Sequence, residues 1–319
     1  MSSKREVSRR AARAAKKENQ AVKVKAGFWD GISTDWLVGG MILGVVAVAA
    51  VVFFAGRFVR DNNAVPTVPF SQVLSLAAAP SGDALLVGDG SGLYRSKDSG
   101  KEWERIAFGS TPVRAIAADP RQSGALIAGA GSRVMRSNDG SKWDEIKTDL
   151  PSGAILGLAS EQTGTMYAFV EGSGLFRTDD GAAWRSVAVL PGIELTSLAI
   201  KPGSPDIVFA FHSQRGLLRS TNGGVEFQAI AGGVLPVRSV SSLLTFADQP
   251  DTMMAVAQRS VYKSTDGGST WAAANAGLRD AQAQVIALAR DPRTGVLYAS
   301  DMQGVIYSSP DAGQNWSKT

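Results

Sequence analysis

One short pattern returns six times along this chain. Ser96, Asp98, Gly100 and Trp103 stand in the order Ser-x-Asp-x-Gly-x-x-Trp, and so do Ser264, Asp266, Gly268 and Trp271, and again Ser309, Asp311, Gly313 and Trp316. A variant copy holds Ser220, Asn222, Gly224 and Phe227. Two copies are one residue shorter, with Ser137, Asp139, Gly140 and Trp143, and with Thr178, Asp180, Gly181 and Trp184. The third position falls at residues 98, 139, 180, 222, 266 and 311, a spacing of 41 to 45 residues. A constant period of this size means stacked modules that cannot bury their apolar faces alone.

The flanks repeat as well. About 25 residues before each box lies an apolar strand, beginning at Val73, Val113, Ile155, Leu195, Val237 and Val285. A small residue follows two places later in each. Turn-forming stretches come next, then a second strand, a third strand leading into the box and a fourth leaving it. Four short strands per 40 to 45 residues describe a propeller blade. The sequence therefore predicts an all-β six-bladed propeller of four-stranded blades over 70–319. Only three residues follow Trp316, so the Pro66–Ser71 stretch is expected to complete the outer edge of the sixth blade.

The box resembles the Asp box, or BNR repeat, of sialidases, sortilin-type receptors and the photosystem II stability and assembly factor family. The resemblance spans all six blades. It implies a structural role for Asp98, Trp103, Asp139, Trp143, Asp180, Trp184, Asn222, Phe227, Asp266, Trp271, Asp311 and Trp316, with each carboxylate closing its own turn. Six equivalent copies cannot all line one site.

The N-terminal region has a different character. Residues 1–35 carry nine Lys or Arg against four Asp or Glu, whereas the repeat region holds 22 basic and 24 acidic groups. From Leu37 to Gly56 there are 20 residues without a charge, enough for a helix of about 30 Å across a bilayer. This predicts a basic cytoplasmic tail over 1–35, a single transmembrane helix over 36–58, a linker over 59–69 and an extracytoplasmic propeller on a bacterial cell membrane. A cleaved signal peptide would have a shorter apolar region and a small-residue cleavage site. Gly40 and Gly44 form a small-xxx-small face suited to helix packing. The tail's basic residues suit anionic lipid headgroups.

The absence of cysteine and the single histidine exclude thiol nucleophiles, disulfides and thiolate or multi-histidine metal sites. No motif points to a metal or a cofactor, and a near-neutral repeat region argues against nucleic acid as a partner. A sialidase would need an arginine triad, a tyrosine nucleophile and an acid, but the family's Arg-Ile-Pro motif is missing. Tyr307 reads as standing where other blades carry Arg or Lys before the box, as at Arg95, Arg136, Arg177, Arg219 and Lys263. Those basic side chains are expected to lay their stems beside a Trp with the charge in solvent. His212 reads as a hydrogen-bonded strand residue. Arg114 and Arg238, each in a Pro-Val-Arg context, occupy the same expected position of an inner strand and form a candidate site for a partner's carboxylate. The expected function is a non-catalytic accessory subunit or assembly factor of an integral membrane complex. The alternative is a cell-envelope glycan-binding protein or glycoside hydrolase.

Overall fold

Each repeat folds into one four-stranded antiparallel sheet whose strands follow one another in chain order from the axis outwards. The computed structural model describes residues 69–106, 109–160, 164–188, 195–201, 206–230, 235 and 239–319. The chain divides into two units, Met1–Val65 and Pro66–Thr319, and every described residue belongs to the second. Its inner strands are Ser75–Ala78, Val113–Ala118, Ile155–Ser160, Leu195–Lys201, Val240–Phe246 and Val285–Arg290. Each lies beside the next, and the inner strand of blade six lies beside that of blade one, so the ring is closed. This is a six-bladed β-propeller.

The second strands explain why closure is needed. In blade one, Leu85 and Val87 face the layer shared with blade six, while Leu86 faces the layer shared with blade two. In blade three, Met166, Ala168 and Val170 face blade two, and Tyr167 and Phe169 face blade four. Alternation of side chains along a strand thus sends successive residues into different layers, and both are apolar. Each of six apolar cores is shared by two neighbouring blades. Burying one such Leu, Ile or Phe contributes about 1.5–3 kcal/mol, so a face without a neighbour is costly.

Three expectations need correction or fall outside the described residues. In blade five the inner strand starts at Val240, not Val237: Val240 pairs with Ala257 as Val113 pairs with Ala130. The residues at this position, Val73, Val113, Ile155, Leu195, Val240 and Val285, are all buried and stand 23 to 25 residues before their box Ser or Thr. The sixth sheet is completed by Ser317–Lys318 of its own repeat and not by the Pro66–Ser71 stretch. Residues 69–71 form no strand. Phe70 is buried instead, with its ring 5.4 Å from Tyr94 and edge-on to Trp103 at 5.3 Å. The crossover from blade five supports this short edge, since Trp316 donates its backbone N–H to Ala276 and its indole N–H to Ala274. Among the described residues no helix is long and apolar enough to cross a membrane, and the 36–58 segment lies outside them.

The axis is crowded, and the inner strands answer with small residues. Ser75, Ala115, Gly157, Ser197, Ser242 and Ala287 occupy equivalent places, two after the buried start of each strand. Ser75 Oγ donates to the carbonyl of Val113 in the next blade at 3.0 Å, and Leu288 N donates to Ser242 Oγ at 3.1 Å. A Cβ on Gly88 would overlap both that Val113 carbonyl oxygen and Ser75 Oγ. A Cβ on Gly90 meets nothing within 4 Å. Gly88→Ala is therefore expected to lower the unfolding free energy by about 1–3 kcal/mol through overpacking, and Gly90→Ala to leave it nearly unchanged. Urea unfolding of both variants checks this, and equal midpoints would refute the crowding.

Candidate functional site

Each box is a turn closed by its own side chains. The hydroxyl that ends the third strand accepts the amide of the box glycine: Gly100 to Ser96, Gly140 to Ser137, Gly181 to Thr178, Gly224 to Ser220, Gly268 to Ser264 and Gly313 to Ser309, all at 2.7–2.9 Å. These glycines have φ between 72° and 95°, a region that side chains with a Cβ resist. The acid then accepts amides further round the turn. Asp98 Oδ1 takes Lys101 and Glu102, Asp139 takes Ser141 and Lys142, and Asp180 takes Ala182 and Ala183. Asp266 takes Thr270, and Asp311 takes Asn315. In the variant box the amide oxygen of Asn222 takes Glu226 at 2.9 Å, so Asn performs the same turn closure without the charge.

The aromatic of each box packs towards the preceding blade. Trp143 lies against the layer of blades one and two, Trp184 in that of two and three, and Phe227 against that of three and four. Trp103, Trp143 and Trp271 donate their indole N–H to the carbonyl of their own box glycine at 3.0–3.1 Å. The Trp184 indole N–H is buried without a partner, while its backbone N–H donates to Asp149 at 2.6 Å.

Four of the five basic residues before the boxes engage their charge instead of holding it in solvent as expected, and Arg219 is exposed as expected. Arg95 is buried and donates to Ser141 in the next blade's box, and Lys263 Nζ donates to the Ala312 carbonyl in the next box at 3.0 Å. Arg136 pairs with buried Asp119 at 2.8 Å, and Arg177 pairs with Asp179 at 2.9 Å and lies over the Tyr167 ring. Arg121 also grips Asp119 and reaches the Asp180 carbonyl in the next box. Burial pushes the Asp119 carboxyl up, but the hydrogen bonds and charges of Arg121 and Arg136 outweigh it and hold it below the ordinary range. Arg293 likewise reaches from blade six into blade one, but to the Ser81 carbonyl between its first two strands and not to a box. The signal for these two latches was the repeated Asp-Pro-Arg of residues 119–121 and 291–293.

The bore runs between the six inner strands, a cavity of about 280 Å³. Leu76, Ile116, Leu158, Leu198, Leu243 and Leu288 line it together with the small residues described above. Arg114 is its one charged side chain among the described residues. It is exposed and stands at a β-bulge, where the pairing skips from Val113 to Ala115. The corrected register gives the equivalent place in blade five to Ser241, whose Oγ donates to the Ile286 carbonyl at 2.7 Å. Arg238 lies outside the described residues, and the two arginines are not equivalent in register. Counting back from each box would have shown this.

The remaining candidates are engaged in packing. Tyr307 is aligned with Tyr94 and Tyr262, not with the basic residues, and Ser308 holds that place. It is buried between blades five and six, where burial and the Asp301 carboxylate raise its pKa. Burial likewise raises Asp301, which accepts the amides of Gln303 and Val305. Tyr167 donates to Asp206 at 3.0 Å inside another blade interface. His212 is buried, and its Nδ1 accepts the amides of Gln214 and Arg215. Among the described residues no group of three or more His, Asp or Glu is placed to hold a metal ion.

No family model matches the chain. No curated protein matches it either. Solved structures do. It is similar to YCF48 bound to D1 peptide, at 15% identity and a TM-score of 0.51, over 79% of this chain and 82% of that one. It is also similar to the GH74 xyloglucanase of Xanthomonas campestris, at 17% identity and a TM-score of 0.52, over 77% of this chain and 54% of the enzyme. The chain thus spans about half of that enzyme's length. Likeness at this identity shows the fold alone.

The box carboxylates set an acid limit to the propeller. The hydroxyl and amide of Thr270 hold Asp266 down to about 2, and the amide and side chain of Asn315 hold Asp311 down to about 2. Their folded-state values lie below the ordinary 3.8. Their contribution to stability is therefore present above about pH 4 and is lost as pH falls through about 2. Asp266→Asn is expected to flatten the fall in unfolding free energy between pH 4 and 2. Denaturant titrations across that range check it, and an unchanged slope would refute it.

Proposed function

We propose that this protein is a non-catalytic propeller of the Asp-box kind, serving as an accessory subunit or assembly factor of an integral membrane complex. One observation carries the reading: no carboxylate lines the bore among the described residues, and Arg114 is its single charge. Glycoside hydrolysis ordinarily needs two carboxyl groups roughly 5 to 10 Å apart in a cleft that substrate can enter. The buried Asp–Tyr pairs of this propeller sit instead within blade interfaces. An arginine among the leucines and serines that line the bore suits capture of a peptide carboxylate. The YCF48 structure, which holds a D1 peptide, gives a precedent for the fold as a peptide binder.

In this reading residues 36–58 anchor the protein in a bacterial cell membrane. Gly40 and Gly44 pack against a partner helix. The tail over 1–35 lies at anionic headgroups on the cytoplasmic side.

The test is mild detergent extraction of the tagged full chain, followed by mass spectrometry of what co-elutes. A stoichiometric set of integral membrane proteins is expected, and Arg114→Glu is expected to release it. Because Arg114 is exposed, the substitution should change stability by no more than about 0.5 kcal/mol. An unchanged set of partners would remove Arg114 from the site. Hydrolysis of a glycoside that a single carboxylate substitution abolishes would replace the whole reading with the enzymatic one.

A further inference from the structure

We propose that the cleft between blades four and five is a binding site for a small carboxylate that also carries hydroxyl or amide groups. This site is separate from the bore and does not rest on the membrane-complex reading. Three departures from the repeat meet there. The first concerns the basic residue before the box. Arg95, Arg136, Arg177 and Lys263 each have a hydrogen-bonding partner, and two of them reach the next blade's box. Arg219, the same residue in blade four, is exposed, and none of its guanidinium nitrogens makes a hydrogen bond or ion pair.

The second departure is the box itself. Asn222 replaces the aspartate present in the other five copies and keeps the turn closed through its amide oxygen. The substitution removes a negative charge from the wall that Arg219 shares, and it adds an NH2 donor. The third is the space. In blades one and two Arg95 closes onto Ser141, the residue after the box glycine. In blades four and five the equivalent pair, Arg219 and Ser269, instead both line a cavity of about 290 Å³. Thr221, Asn222, Glu226 and Gln228 line it too.

These groups specify the ligand class. A free guanidinium fork pairs with a carboxylate through two parallel N–H···O bonds. The hydroxyls of Thr221 and Ser269 and the amides of Asn222 and Gln228 offer both donors and acceptors to neutral polar groups. Glu226 forms no ion pair with Arg219, so its carboxylate remains to accept hydroxyl or amide hydrogens and to repel a second negative charge. A ligand with one carboxylate suits this wall better than a dianion. The volume lies near the lower end for ligand pockets, roughly 300 Å³, the scale of a single sugar acid or an acylated amino acid.

The full chain, purified in detergent, would be titrated by calorimetry or saturation-transfer NMR with D-glucuronate, N-acetylglycine and, as the uncharged control, D-glucose. Saturable binding of either carboxylate and none of glucose is expected. Glucuronate alone would point to a sugar acid, and N-acetylglycine alone to a peptide-like terminus. Arg219→Gln and Asn222→Asp should each weaken binding about tenfold or more, the usual loss for a charged hydrogen bond. Asn222→Asp restores the residue of the other five boxes, so its urea midpoint should not fall, and its loss of binding reports charge and not unfolding. Absence of saturable binding by both carboxylates, equal binding of glucose, or parent-like binding by both variants would overturn the proposal.

Discussion

A sheet with two apolar faces and no neighbour has no stable existence in water, and every other feature of this propeller follows from that constraint. No blade owns a core. Leu85, Leu86 and Val87 are consecutive, yet they serve two different layers, and the same holds from Met166 to Val170. Six sheets in a row would leave two such faces bare. Closing the ring is the arrangement that covers them, and the small residues of the inner strands let six backbones converge on the axis.

The boxes turn this packing into a fixed geometry. Their glycines have dihedrals a side chain resists and press against the preceding blade, as Gly224 does against Leu175 and Gly100 against Ile306. Their carboxylates spend their lone pairs on backbone amides of the same turn. Arg95, Arg121 and Lys263 then carry hydrogen bonds forward to the next box. Each box thus faces back by packing, and those of blades two, three and six are also held from behind by a cation. A residue so occupied is poorly placed for chemistry on a bound molecule, which is why the bore and the unlatched Arg219 draw attention instead.

Much of this was legible in the chain because its signals are local. The box spacing, the count of blades and the small residue near the axis all depend on neighbours within one repeat. What stayed hidden depends on distant parts of the chain. Val237 and Val240 are both apolar and three residues apart, and the Pro-Val-Arg context favoured the wrong one; only the distance to Ser264 separates them. Counted from the glycine that opens the third strand, Tyr307 falls where Arg95 does, but Gly304 stands five residues before its box serine and Gly92 only four. The three residues after Trp316 read as too few for the outer edge of blade six, yet two of them suffice because the crossover from blade five supports them. The forward reach of the arginines joins residues 46 to 59 apart, which no reading of one repeat contains.

The sharing of every apolar layer between neighbours also governs how the protein can be made. A growing polypeptide that has emerged as far as the fifth sheet presents two unfinished hydrophobic walls, one on its first blade and one on its last. Neither can be hidden until translation reaches the sixth. Synthesis therefore passes through stages that still expose such walls, the kind of surface that makes folding intermediates prone to aggregate.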